Sequence, residues 1–196
     1  SMQQNITSEA VHDEDRLAGR RVTVMGLGKH GGGVSVVRFL VSVGCRVTVT
    51  DLQTAELLQS SVAELRDLAI ERLVLGKHQD RDFTDTDLVV VNPAVKLGNR
   101  FVHLARRHGV PVTSEIELLL ERCPAEKIVG VTGTTGKSTT CAMLADICQK
   151  AEVTTWLGGN FRGGLLNELP RMTSSDVVIL ELSSFQLALL SEKVRM

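Results

Sequence analysis

Ile128-Val129-Gly130-Val131, then Thr132, then Gly133-Thr134-Thr135-Gly136-Lys137-Ser138-Thr139, is an apolar run followed by a glycine loop and the mouth of a helix. The apolar run predicts a short buried strand, and Ala142 to Ile147 predicts the body of a helix. Backbone N–H groups at a helix start, with their partial positive charge, attract phosphate oxygens. In such a cradle the Lys137 ammonium reaches the outer phosphates, and the Ser138 or Thr139 hydroxyl ligates Mg²⁺. The standard loop of this kind has four residues between its first glycine and Gly-Lys, which requires a glycine where Val131 stands. The sequence therefore carries a shortened variant, G-T-T-G-K-S. The rival reading is a Gly/Thr turn that only caps a helix. Strand, loop, Lys-Ser and helix in the order the chemistry needs favour the cradle.

The chain has 196 residues, enough for one large domain or two small ones. Its hydrophobic fraction of 43% suits a globular protein that buries most of its surface. Lys plus Arg (22) nearly balance Asp plus Glu (23), so no basic field draws nucleic acid or an anionic membrane. Cys45, Cys123, Cys141 and Cys148 form no C-x-x-C pair and read as buried thiols of a reducing compartment. No signal peptide is evident, and no apolar run reaches the roughly 18 residues of a membrane span. A cytoplasmic protein is expected. Ser1 before Met2 has the form of a residue left by cloning.

Outward from the cradle, strands alternate with helices. Residues 1–19 are polar, with acidic Asp13-Glu14-Asp15, and predict a flexible arm. Arg21 to Met25, Arg46 to Thr50, Arg72 to Leu75, Leu88 to Val91 and Val110 to Thr113 read as strands. Val34 to Val43, residues 54–69 and residues 99–108 read as helices. This alternation implies α/β architecture with a parallel sheet covered on both faces, a Rossmann-like unit over residues 20–113. A second, P-loop-type α/β unit is expected over 114–196: a helix from Glu115 to Arg122, the cradle strand and helix, a strand at 153–157 and another at 176–182. Three strands fall short of the five or so usual in such sheets, so this unit reads as incomplete.

Gly26-Leu27-Gly28-Lys29-His30-Gly31 matches G-x-G-x-x-G between a strand and a helix, where glycines let the backbone approach a diphosphate. Asp51 closes the next strand, about twenty residues on, where an acid binds ribose hydroxyls. The fingerprint reports a diphosphate joined to a ribose, which a dinucleotide and a UDP-sugar both contain. Lys29 and His30 add donors toward phosphate or simply face water. Asn92, before Pro93, either contacts the nucleotide or ends its strand in a turn. Gly158-Gly159-Asn160-Phe161-Arg162-Gly163-Gly164 holds more glycine than a turn needs, which suggests close approach to a ligand or a plain connector. Glu181 follows Val177-Val178-Ile179-Leu180, and a carboxylate there is costly unless paired or bound to a cation; Mg²⁺ beside the cradle is the functional reading, solvent at the strand end the bland one. Ser183-Ser184 read as helix-capping hydroxyls, since no histidine lies C-terminal to His108 to activate a nucleophile. His12, His78, His103 and His108 lack metal-ligand spacing and read as surface residues.

Gly133 to Thr139, Gly158-Gly159-Asn160 and Glu181-Leu182-Ser183-Ser184-Phe185-Gln186-Leu187 together resemble the Mur ligase family, whose D-glutamate-adding branch carries the last phrase. The turn at 26–31 and Thr113-Ser114-Glu115-Ile116-Glu117-Leu118 are similar as well, so the match spans roughly residues 20–190. The resemblance implies a three-domain enzyme of peptidoglycan synthesis, and with it a part in cell-wall biogenesis, cell shape and cell division. An N-terminal domain would bind the UDP moiety, a central domain ATP, and a third domain the incoming amino acid. The implied substrates are UDP-N-acetylmuramoyl-L-alanine and D-glutamate, joined with ATP and Mg²⁺ by a protein that is monomeric at full length. By the same resemblance Gly28, Lys29 and His30 face the UDP diphosphate, Asp51 the uridine end, and Asn160 the substrate near the reacting centre. Lys137 would bind ATP phosphates, with Ser138 or Thr139 and Glu181 on magnesium. The sequence departs from the family by ending before its downstream histidine, its carbamylated lysine and the third domain. A fragment or partial gene product that binds without turnover is therefore expected. The alternatives are a dinucleotide-dependent oxidoreductase, which leaves the second cradle unexplained, and a non-catalytic nucleotide-binding module.

Overall fold

The computed structural model describes residues 17–28, 32–95, 98–159 and 164–190. The chain divides into two compact units, Ser1–Thr113 and Ser114–Met196. Both are α/β. In the first, β1 (Arg21–Met25), β2 (Arg46–Asp51), β3 (Arg72–Leu75), β4 (Leu88–Val91) and β5 (Val112–Ser114) form one sheet in the order β3-β2-β1-β4-β5. The pairs β1–β2, β1–β4 and β2–β3 are parallel, with Val24 opposite both Val49 and Val90. All four residues of β4 are buried, as a strand of β-branched residues in the middle of a covered sheet should be. Helix α1 (Gly32–Ser42) turns Val34, Val36, Val37, Phe39 and Leu40 inward. The short helices α2 (Gln59–Ala63) and α3 (Arg81–Thr84) and the longer α4 (Arg100–Arg107) complete the unit.

The helix expected over 54–69 is only the five residues of α2. Leu58 precedes it at φ −108°, ψ 18°, outside helical geometry, and turns flank it on both sides. Leu58 and Leu65 are buried, but Ala55 is exposed and Ser61 is buried in its place. The inward face is thus set by tertiary contacts rather than by an unbroken helical stripe. The sequence expects an arm ending at residue 19. Residues 1–16 lie outside the described residues, whereas Leu17 is 2% exposed and the Gly19 N–H donates to the Gly44 carbonyl at 2.8 Å, so ordered packing begins before residue 20.

In the second unit α5 (Glu115–Arg122) is capped by the Ser114 hydroxyl, which accepts from the Glu117 N–H. Glu115 Oε1 is buried without a hydrogen-bond partner among the described residues, and burial pushes this carboxyl up to about 7. The sheet holds β6 (Lys127–Val131), β7 (Thr155–Gly159) and β8 (Val177–Glu181), all parallel, in the order β6-β8-β7. Helix α6 (Lys137–Lys150) lays Cys141 against Val177 and Ile179. A 3-10 segment (Leu166–Arg171) leads to β8, and α7 (Ser184–Leu189) follows it. Trp156, the one tryptophan, donates from Nε1 to Asp176 at 2.7 Å, with the Arg171 guanidinium 5.3 Å from its ring centre. That bond, together with donation from Thr173, holds the Asp176 carboxyl below the usual carboxylate range. Among the described residues no helix is long and apolar enough to cross a membrane. The four cysteines are thiols rather than disulfides; Cys45 and Cys141 are buried, and Cys123 and Cys148 are half-buried.

Candidate nucleotide-binding sites

In the second unit, register places Val131, Glu181 and Gly159 side by side at the carboxyl ends of their strands. The glycine loop leaves β6 at that end, and Gly136 (φ 78°) opens α6 at its far side. Lys137 Nζ donates to the Gly133 carbonyl at 2.9 Å, so the ammonium already lies across the loop. Ser138 Oγ donates to Glu181 Oε2 at 2.8 Å. The sequence left Ser138 and Thr139 as equal candidates beside Glu181; Ser138 is the one hydrogen-bonded to it.

Glu181 is 1% exposed, in a strand buried along its whole length. The hydroxyl hydrogen bond offsets part of the cost of burying that carboxylate. Gly159 makes the geometry possible: at φ 106° it runs so close to the Glu181 backbone that a Cβ would overlap the Glu181 carbonyl. Of the two hydroxyls read as helix caps, Ser183 takes that role at the start of α7, in a reciprocal capping box with Gln186, while Ser184 is the first helical residue. Asn160 lies outside the described residues, as do Phe161, Arg162 and Gly163.

One carboxylate and one hydroxyl at the mouth of a phosphate cradle suit Mg²⁺, which keeps several waters and takes its remaining ligands from substrate phosphates. The donor set therefore fits the metal. Glu181 and Ser138 would hold it, and it would supply positive charge to the polyphosphate.

The first unit has a cleft of about 580 Å³ whose walls include Gly26, Gly28, Asp51, His78, Asn92 and Asn99. It opens where the strand order reverses, between β1 and β4, the usual place for a ligand in a doubly wound sheet. The sequence reads Asp51 as an acid placed where ribose hydroxyls bind. In the structure its Oδ2 accepts from the N–H groups of Leu27 (2.8 Å) and Gly28 (3.2 Å), and its Oδ1 from the Gln53 N–H (2.8 Å). Because the Gly26 N–H goes to the Thr50 carbonyl at 2.8 Å, residues 26–28 keep no spare N–H for a phosphate. Gly28 thus offers a ligand room rather than a donor. Lys29, His30 and Gly31 lie outside the described residues.

Asn92 serves its turn: Oδ1 accepts from the Ala94 N–H at 3.0 Å and Nδ2 donates to the Gly26 carbonyl at 3.3 Å, while the residue also lines the cleft. His78 corrects the surface reading. It is half-buried, edge-on to Phe83 and Phe101, with Nδ1 2.7 Å from the Thr50 hydroxyl. Burial holds its pKa below the ordinary histidine range, against the opposing pull of Asp51 and Asp82. Phe83 is near in sequence, but Phe101 and Thr50 reach His78 only through folding, and no local signal announces the site. His103 and His108 are exposed as expected, and His12 lies outside the described residues.

A Rossmann-like unit followed by a P-loop-type unit defines an α/β protein with a glycine turn at the carboxyl end of a strand in each unit. Residues 20–114 match the N-terminal domain of MurD-like Mur ligases, and residues 131–195 match the Mur ligase middle domain. The chain belongs to the Mur ligase family. It is 45% identical over 177 residues to the UDP-N-acetylmuramoylalanine–D-glutamate ligase of Roseiflexus sp. (strain RS-1), covering 90% of this chain and 38% of that protein. To the protein of that name from Treponema pallidum (strain Nichols) it is 39% identical over 173 residues, covering 88% and 32% respectively. The chain thus spans well under half the length of these curated relatives. The crystal structure of UDP-N-acetylmuramate:L-alanyl-gamma-D-glutamyl-meso-diaminopimelate ligase from Neisseria meningitides has a TM-score of 0.51 at 21% identity, over 83% of this chain and 52% of that one, a likeness of fold.

Proposed function

We propose that residues 20–113 bind the UDP end of UDP-N-acetylmuramoyl-L-alanine and that residues 114–196 bind ATP, as parts of a cytoplasmic ligase that adds D-glutamate. The observation that carries the reading is the Ser138–Glu181 hydrogen bond at 2.8 Å, one residue from Lys137 at the mouth of the glycine loop. A hydroxyl, a carboxylate and an ammonium gathered there match the needs of phosphoryl transfer: positioning, and positive charge where negative charge accumulates. The substrate carboxylate attacks the γ-phosphorus and ADP leaves, giving an acyl phosphate. The amine of D-glutamate then attacks the acyl carbon, and phosphate leaves through a tetrahedral intermediate. Lys137 exchanges the Gly133 carbonyl for phosphate oxygens, while Ser138 and Glu181 hold the metal-facing side.

The names of the Roseiflexus and Treponema relatives support D-glutamate as the amine. In this chain, Lys137→Ala should weaken ATP binding at least about tenfold by equilibrium dialysis, the scale of losing one hydrogen bond to a charged group. In the protein extended to the relatives' length, the same change should nearly abolish phosphate release from ATP, UDP-N-acetylmuramoyl-L-alanine and D-glutamate. Undiminished release would refute the role given to Lys137.

A further inference from the structure

His78 lines the cleft of the first unit, and three contacts fix its ring. Phe83 and Phe101 meet it edge-on at centroid distances of 5.6 and 5.0 Å, and Nδ1 lies 2.7 Å from the hydroxyl of the fully buried Thr50. The backbone before it is tied down as well, since the Gly76 N–H donates to the Gln53 carbonyl at 2.9 Å. With Nδ1 taken, Nε2 is the polar atom the imidazole has left to offer. Nε2 has no hydrogen-bond partner among the described residues, yet it is not one of their buried unpaired atoms. It is therefore open to solvent, on a half-buried side chain that borders the cleft.

The neutral ring that burial favours carries one proton, and Thr50 decides where. The Thr50 hydroxyl donates to the Lys77 carbonyl at 3.3 Å, which leaves Nδ1 as donor to that hydroxyl and Nε2 as an acceptor. Uridine carries N–H and O–H donors, whereas an ionised diphosphate carries none. Topology agrees. In the order β3-β2-β1 the glycine turn follows β1, Asp51 ends β2, and His78 lies just beyond β3. A diphosphate at the glycine turn with its ribose near the acid of β2 sends the base outward toward β3. We propose that His78 is a specificity-determining residue of this cleft, holding the uridine part of the ligand through Nε2 and not the diphosphate. The proposal rests on the reading of this cleft as the UDP site.

The test titrates UDP and uridine into the 196-residue chain by ligand-observed NMR, using wild type, His78→Asn and His78→Gln. The asparagine amide overlays Nδ1 and can keep the Thr50 contact, while the glutamine amide overlays Nε2 and can keep the ligand contact. His78→Asn should raise the Kd of UDP and of uridine alike, by about fivefold, the scale of one neutral hydrogen bond. His78→Gln should stay close to wild type for both. If the asparagine variant does not fold, His78→Phe keeps a ring beside Phe83 and Phe101 without either nitrogen and takes its place. Unchanged affinities in every variant would overturn the proposal. So would a loss in His78→Gln as large as that in His78→Asn, the mark of a merely structural ring, or a loss of UDP that spares uridine. Wild-type protein that binds no UDP would instead sink the cleft assignment, and the proposal with it, before any variant is made.

Discussion

Asp51 shows how much one carboxylate can organise. Three backbone N–H groups converge on it where it is 8% exposed, so oriented backbone dipoles stabilise a carboxylate there. Asn at this position keeps one carbonyl oxygen and turns an NH₂ toward donors. Asp51→Asn should therefore cost about 1–3 kcal/mol in urea unfolding, and it should loosen the turn at Leu27 and Gly28 by amide hydrogen exchange. Its place after a strand and a glycine turn was legible, because strand end and turn are local features. Its partners were not, since only folding brings residue 51 against residue 27. Lys137, Ser138 and Glu181 divide in the same way: their chemistry stood in the sequence, but the choice of Ser138 over Thr139 as partner of Glu181 came from helix phase.

At the scale of elements, the helix Glu115–Arg122 was read to the residue, whereas the strand expected at 153–157 lies at Thr155–Gly159 and the one expected at 110–113 at Val112–Ser114. Arg21–Met25, Arg72–Leu75 and Leu88–Val91 were legible to the residue because short apolar runs bounded by polar residues suit buried strands. The stretch 54–69 misled because its apolar spacing is shared between a five-residue helix and turns whose shape answers to Gly28 through Ser61. The β7–β8 pair makes the sharpest prediction at this scale. A methyl group on Gly159 would meet the Glu181 backbone, and φ 106° strains any L side chain. Gly159→Ala should destabilise the second unit by about 2–4 kcal/mol, combining backbone strain with overpacking. The midpoint of tryptophan-monitored thermal unfolding checks this, and an unchanged midpoint would contradict the close approach described here.

For the whole molecule, pH enters through Glu115. Its carboxyl titrates near 7 in the folded chain against 4.5 ordinarily, so the folded state holds a proton that the unfolded state has released. Below 4.5 both states are protonated and nothing is lost; between 4.5 and 7 stability falls as pH rises, and above 7 the loss is complete. Its ceiling is about 3 kcal/mol. Glu115→Gln should flatten that stretch of the stability–pH curve in urea titrations; an unaltered slope would show that Glu115 is not its source.

The lone indole of Trp156 has a practical corollary. With no tyrosine anywhere in the chain, ultraviolet emission reports from residues 114–196 and is blind to the rest. Backbone circular dichroism sums over both halves. If UDP grips the first half and ATP the second, each nucleotide should delay one half of the melt: ATP should move the glow and the ellipticity together, UDP the ellipticity alone. A single dye-free cuvette would then tell the two ligands' seats apart.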